Sequence, residues 1–99
     1  MNYAVTDDSG VTTLALEGVL DALTAPEIRP ALNQIVADKR TNVVVNLASL
    51  RLIDSSGVGA LVSLFKRVRE YGGTVRVEGL RDQPLTIFRL LRLDRVLVS

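Results

Sequence analysis

The segment Asp54–Gly59 constrains the fold most, because it lies directly between a strand pattern and a helix pattern. Before it, the apolar run Asn42–Leu47 predicts a buried strand. After it, apolar residues recur at helical spacing, namely Val58, Leu61, Val62, Phe65 and Val68. The segment itself holds an aspartate, two serines and two glycines, so we expect an exposed helix N-terminus that presents a serine.

The polar and small residues of this segment have two interpretations each. Asp54 or Ser55 can cap the helix by accepting a hydrogen bond from a free backbone N–H, and capping alone would explain either residue. Glycine in a helical turn costs about 1 kcal/mol relative to alanine, so Gly57 and Gly59 need a further reason. That reason is either close approach of another backbone or tight packing between the helix and the sheet.

The first half of the chain predicts a hairpin and a helix. Two strands, Tyr3–Val5 and Val11–Leu16, are joined by the turn residues Asp7–Gly10. Thr24–Glu27 has the spacing of a capping box in front of an amphipathic helix. Pro30 lacks the N–H that a helix interior needs, so we expect the regular helix to begin or to bend there.

The remaining patterns complete an α/β fold. Val43–Val45 is apolar on both faces, which predicts a central strand with helices on both sides of the sheet. The glycine pair Gly72–Gly73 suits the end of the second helix, and Thr74–Glu78 alternates like a strand. Asp82–Pro84 opens a third helix with a cap candidate, and Val96–Val98 is the predicted last strand. The predicted order is β-β-α-β-α-β-α-β around a mixed sheet.

The composition excludes most catalytic chemistry. The chain contains no histidine and no cysteine, so it has no Ser-His-Asp triad, no thiol nucleophile and no zinc site built from those residues. Gly57-Val58-Gly59 lacks a third glycine at Val62, and no Walker-type glycine-lysine pair follows a strand. Asp54 as a lone carboxylate is interpreted as a cap, not a metal ligand. We therefore expect no enzyme activity, no cofactor and no metal.

Charge and length define the class of protein. Residues 1–50 carry a net charge of −3 and residues 51–99 a net charge of +4, but the basic residues are scattered and only 4% of residues are aromatic. Solvated helix faces explain this pattern, so we expect no nucleic-acid partner. The 99 residues predict one domain, 1–99, with no membrane span and no signal peptide, and hence a soluble cytoplasmic protein.

A longer match extends the pattern of the central segment. Leu52–Leu61 resembles the signature of STAS domains, specifically that of bacterial anti-sigma factor antagonists. Leu16–Asp21 followed by Thr24–Ala25 is similar to the family's second strand and the start of its first helix, and Gly72–Gly73 falls where its second helix ends. The resemblance covers nearly the whole chain and implies a single STAS-like domain. One departure is that the chain stops just after Val98, where many members continue into a final helix.

The resemblance implies a regulatory switch. In the family, the first serine after the aspartate is phosphorylated, and that position is Ser55 here. The unmodified protein would bind an anti-sigma factor that is an ATP-binding serine kinase, and so release a sigma factor; a serine phosphatase would reverse the modification. Asp54 would orient the hydroxyl or pair with a basic partner residue, while Gly57 and Gly59 would permit close contact. Ser56 is interpreted as local capping, with modification as the alternative.

Two other functions remain open from the residues. The chain could be a STAS subunit of a larger scaffold or lipid-transport complex, because a fold does not fix a function. It could also be a nucleotide-binding module, although no phosphate-binding loop is present. For the switch itself, a phosphate at a helix N-terminus meets free N–H groups and the positive end of the dipole, so we expect binding to suffer more than stability.

Overall fold

A four-stranded mixed sheet is the centre of the structure, a computed structural model that describes residues 1–95. The strands lie side by side in chain order: β1 (Asn2–Asp8), β2 (Val11–Leu20), β3 (Asn42–Ile53) and β4 (Thr74–Glu78). The helices are α1 (Ala25–Ala37), α2 (Ser55–Glu70) and α3 (Asp82–Leu90), followed by a 3₁₀ turn at Leu93–Arg95. This order confirms the prediction through the third helix. The predicted last strand, Val96–Val98, lies outside the described residues.

The β1–β2 hairpin is antiparallel and closes with a two-residue turn. Asp8 pairs with Val11, and the residues between them, Ser9 and Gly10, have φ angles of 51° and 83°. Two positive φ angles match the right-handed twist of paired strands, which is why glycine suits this place. The predicted hairpin is therefore confirmed.

The pairs β2–β3 and β3–β4 are parallel, so the chain must cross over the sheet twice. Helices α1 and α2 form these crossovers, and all three helices contribute to one core with alternate strand residues. Fully buried members of this core include Leu14 and Leu16 of β2, Val43, Val45 and Leu47 of β3, Ile28 of α1, Leu64 and Val68 of α2, and Phe88 of α3. The core therefore lies between the sheet and the helices.

The other face of the sheet differs from the prediction. Val44 is only 4% exposed, as expected for a central strand, yet it does not belong to the core beneath the helices. Its register partners are Thr13 on β2 and Arg76 on β4. Both partners flank Val44 on the same face of the sheet, and the aliphatic stem of an arginine is able to cover apolar surface. Among residues 1–95, the predicted second layer of helices is thus absent.

The start of α1 corrects the predicted capping box. Thr24 precedes the helix, but its side chain makes no capping bond, because the hydroxyl serves the preceding loop instead. Glu27 pairs with the amino group of Met1. Pro30 neither starts nor visibly ends α1, which runs continuously through it. Since Pro26 and Pro30 are both exposed, water can bond the carbonyl of Pro26 that Pro30 cannot serve.

Two further helix ends were predicted with different success. Gly72 follows the C-cap of α2 with a φ of 88°, which confirms the glycine stop signal. The predicted cap of α3, Asp82, is wrong by one position, because Arg81 is the extended residue before the helix and forms no side-chain cap. Within the described part of the chain, no helix is both long enough and apolar enough to cross a membrane.

Candidate functional site

The start of α2 lies where β2 and β3 end together. Leu20 and Ile53, the last residues of these strands, are register partners. The next residue, Asp54, is still extended, with φ −113° and ψ −174°, and its amide donates to the carbonyl of Leu20 at 3.1 Å. Helix α2 begins at Ser55, so the strand turns into the helix without an intervening loop, as the sequence predicts.

The carboxylate of Asp54 joins two segments of the chain. One oxygen accepts a hydrogen bond from the amide of Gly57 at 3.0 Å, which makes Asp54 the cap of α2. The other oxygen accepts from the amide of Ala22, in the loop between β2 and α1, at 3.2 Å. The predicted capping role is therefore confirmed. Because both oxygens already accept bonds from backbone amides, the position of Asp54 is fixed before any partner binds.

The loop that contains Ala22 is itself ordered by local hydrogen bonds. The carboxylate of Asp21 accepts from the amides of Leu23 and Thr24 at 2.9 and 3.0 Å. The hydroxyl of Thr24 accepts from the amide of Asp21 and donates to the carbonyl of Val19, both at 2.8 Å. The bonds from Thr24 and Leu23 lower the pKa of the Asp21 carboxyl, since they favour its charged form.

This ordered loop displays an apolar side chain beside the helix start. Leu23 is 85% exposed, the largest exposure among the large apolar side chains of the described residues. Leu52, two residues before Asp54, is also half exposed. An exposed leucine is not unusual by itself, but here the Asp54–Ala22 hydrogen bond holds the leucine's loop against the start of α2.

Ser55 and Ser56 are the first two residues of α2, and both are exposed. Their backbone N–H groups lie in the first turn of the helix and therefore have no acceptor within it. The side-chain cap is Asp54, so the interpretation of Ser56 as a capping residue is wrong. The hydroxyl of Ser55 is consequently accessible at the positive end of the helix dipole, where the structure needs no bond from it.

The two glycines of the segment lie in opposite environments. A Cβ atom at Gly57 would lie 2.7 Å from the carbonyl oxygen of Leu20 and 2.8 Å from Cγ1 of Ile53. Gly57 is buried, so the missing side chain makes room for the domain's own sheet, which corrects its predicted role in contacting a partner. Gly59 is exposed, and a Cβ atom there would meet nothing within 4 Å.

Gln83 of α3 completes the junction from the far side. Its side-chain oxygen accepts from the amide of Ile53, and its side-chain nitrogen donates to the carbonyl of Ile53, both at 2.9 Å. Strand β4 pairs only with Asn42–Asn46 of β3, so Gln83 takes the place of a neighbouring strand at Ile53. The end of β3 is thereby fixed on both edges.

Several residues of this site were missed by the sequence analysis. The spacing of Asp21 and Thr24 is a local signal for a side-chain-stabilised turn and was available to find the loop. Gln83 has no such signal, because its partner lies 30 positions away. Among the described residues, no group of three acidic side chains is placed to hold a metal ion.

Comparisons with known proteins point to one family. A model of the STAS domain matches residues 2–98. The chain is 25% identical to the anti-sigma-B factor antagonist of Bacillus subtilis strain 168, over 98% of this chain and 88% of that relative. A crystal structure of an anti-sigma factor antagonist from Mycobacterium paratuberculosis has a TM-score of 0.87 at 24% identity and covers 96% of this chain and 80% of its own.

A second solved structure shows the same fold in a modified state. The Bacillus cell fate determinant SpoIIAA in its phosphorylated form has a TM-score of 0.73 at 20% identity. That comparison covers 99% of this chain and 89% of the other. At these identities the two structures show that the fold is shared.

Proposed function

Because this chain belongs to the STAS domain family, we propose that it is an anti-sigma factor antagonist controlled by phosphorylation of Ser55. The unmodified protein binds an anti-sigma factor that is also an ATP-dependent serine kinase, and a sigma factor is released. Transfer of a phosphoryl group to Ser55 ends the interaction, and a serine phosphatase restores it. The proposal places the protein in the cytoplasm, where transcription takes place.

The observation that carries this proposal is the division of labour between Asp54 and Ser55. Asp54 caps α2 and holds the β2–α1 loop, so the fold of the junction depends on the aspartate. Ser55 is exposed and is not the side-chain cap. A kinase can therefore modify the serine without removing a bond on which the domain relies.

The electrostatics of the helix start favour a switch that acts on binding. A phosphoserine carries about −1.5 to −2 charge at neutral pH. The amides of Ser55 and Ser56 and the dipole of α2 favour an anion at this point, whereas the adjacent carboxylate of Asp54 opposes it. These effects offset each other inside the domain. A partner surface seated on Ser55 would meet the full added charge, so affinity changes more than stability.

The surroundings of Ser55 also suit a protein partner. Leu23, in the loop bound to Asp54, and Leu52, two residues before Asp54, both expose apolar side chains, and the Leu23 loop is already ordered by hydrogen bonds. Burial of exposed apolar side chains favours binding, and a loop that is already ordered loses little conformational freedom when a partner covers it. An apolar contact next to a site of reversible charge gives a partner both affinity and a means of release.

Phosphorylation is tested with the purified anti-sigma factor kinases of the same genome. Each kinase is incubated with the protein and ATP, and the modified residue is mapped by mass spectrometry. We expect the phosphate on Ser55, no incorporation in Ser55→Ala, and normal incorporation in the matched control Ser56→Ala. Phosphate that persists in Ser55→Ala, or that maps to Ser56, would contradict the assignment.

Binding is tested by titration calorimetry of the same kinase in the presence of ADP. Ser55→Ala should bind like the unmodified protein, whereas Ser55→Asp should bind at least about tenfold more weakly, because an uncompensated interfacial charge is costly. Equal affinities for the two variants would show that the start of α2 is outside the interface.

A further inference from the structure

A groove of about 460 Å³ lies between α1 and α2 and begins at Ser56, the residue after the proposed phosphorylation site. The α2 side is lined by Ser56, Gly59, Ser63 and Arg67, which share one face of the helix. Arg67 lies eleven positions after Ser56, which corresponds to a rise of about 16 Å, or roughly three helical turns. The groove thus extends from the residue next to Ser55 along most of α2.

The ionisable side chains that line the groove are both arginines, Arg29 of α1 and Arg67 of α2. The salt bridges among the described residues join other groups, so neither arginine takes part in one of them. Arg67 is half-buried, and its guanidinium donates to the side-chain oxygen of Asn33 at 2.9 Å. This bond orients the guanidinium and leaves further N–H donors for a carboxylate.

The middle of the groove is open and has small side chains. A Cβ atom at Gly59 would meet nothing within 4 Å, and the neighbouring lining residues include Ala60 and Ser63. Ala25 and Leu32 of α1 add apolar surface on the other side. Small residues allow another backbone to come close. Arg29 supplies positive charge in the second turn of α1, and Arg67 supplies it near the C-terminal end of α2.

We propose that this groove receives a helix of the anti-sigma factor partner, with acidic side chains of that helix bound to Arg67 and to Arg29. The inference rests on the proposed function, and it identifies the chemistry of the partner surface. The partner's backbone passes over Gly59, and its end near Ser56 covers Ser55. Phosphorylation of Ser55 therefore places negative charge at one end of a groove whose other end holds an acidic residue of the partner.

The test measures the affinity of the purified kinase for three groove variants. Arg67→Glu and Arg29→Glu should each weaken binding by about tenfold or more and reduce its dependence on salt, because they place like charge against the partner's carboxylate. Gly59→Leu, which leaves both arginines intact, should weaken binding by a similar factor through its bulk. Urea denaturation of each variant verifies that it is folded at the temperature of the titration.

The matched control is Arg69→Glu, the same charge change in the same turn of α2. Arg69 lies over the ring of Phe65 and does not line the groove. Its substitution should change the affinity by less than about twofold, as expected for a charge outside the contact. Equal losses in Arg69→Glu and Arg67→Glu would overturn the groove, because they would reflect net charge alone.

The remaining outcomes separate this inference from the proposed function. If Ser55→Asp weakens binding but the groove variants bind like the unmodified protein, the groove is overturned and the switch stands. If the groove variants lose affinity and Ser55→Asp does not, the groove is supported and the switch is overturned. If the unmodified protein binds no kinase, both fail. Binding of ATP to this chain alone, abolished by Arg67→Glu, would make the groove a nucleotide site and overturn the inference.

Discussion

The two faces of α2 use glycine for opposite purposes. Gly57 faces the sheet, where the carbonyl of Leu20 and the side chain of Ile53 leave no space for a methyl group. Gly59, two residues later, faces open space at the groove. The same residue type within one short segment is thus required by folding in one place and is available for binding in the other. The difference separates what the domain needs from what a partner would need.

The largest effect is expected for Gly57→Ala. Its new methyl group would lie 2.7 Å from a backbone oxygen, which cannot turn away as a flexible side chain can. Overpacking of this kind costs about 1–3 kcal/mol, and we expect a value near the top of that range in the free energy of unfolding from urea denaturation. An unchanged transition midpoint would show that α2 can shift away from the sheet at little cost.

A smaller loss is expected for Asp54→Ala. The substitution removes the cap bond to Gly57 and the bond to Ala22, and the loss of a helix cap costs about 0.5–2 kcal/mol. Ser55→Ala is the control, since it changes the neighbouring residue without removing a cap, and its stability should stay within about 0.5 kcal/mol. Equal destabilisation of the two variants would mean that Ser55 shares the capping role.

The opposite sign is expected for Gly59→Ala. The position is helical, and a Cβ atom there meets no other atom within 4 Å. Alanine should therefore raise the free energy of unfolding by up to about 1 kcal/mol, through helix propensity and a more restricted unfolded chain. In calorimetry the same methyl group should weaken kinase binding if the groove is occupied. A destabilised variant would remove the contrast between the two glycines.

The smallest effect concerns Asp21 and appears only in acid. Hydrogen bonds from Thr24 and Leu23 lower its pKa below the ordinary value of 3.8. A lowered pKa in the folded state gives stability that is present above that ordinary value and is lost as the pH falls through the lower, folded value. Urea denaturation should therefore show that the difference in the free energy of unfolding between the unmodified protein and Asp21→Asn becomes smaller below about pH 4. A difference in the free energy of unfolding that stays constant across this range would contradict the lowered pKa of Asp21.

The sequence predicted most of the fold because its signals are local. The hairpin turn at Ser9-Gly10, the strand-to-helix junction at Asp54 and the glycine stop at Gly72 each depend on the backbone preferences of adjacent residues. The failures involve residues whose side chains bind elsewhere. Thr24 has the spacing of a capping box, but its hydroxyl bonds to Asp21 and Val19 instead. The capping-box pattern does not include this competing turn, so the prediction failed.

The candidate site was predicted less completely than the fold. Asp54 and the exposed Ser55 follow from the pattern of the junction, whereas the contribution of the β2–α1 loop does not, because Ala22 and Asp54 are 32 positions apart. The same distance problem hides the contact of Gln83 with Ile53. The reason for each glycine also depends on which atoms lie opposite, and spacing along the chain does not determine that.

The bond between Ala22 and Asp54 offers a direct spectroscopic test of the proposed switch. The Ala22 amide proton points to a carboxylate whose immediate neighbour in the chain is Ser55. A phosphoryl group on that serine changes the electric field at the carboxylate, and amide chemical shifts respond to the hydrogen bond that the proton makes. The resonance of Ala22 would therefore report phosphorylation of Ser55, on a residue that this modification leaves chemically unchanged.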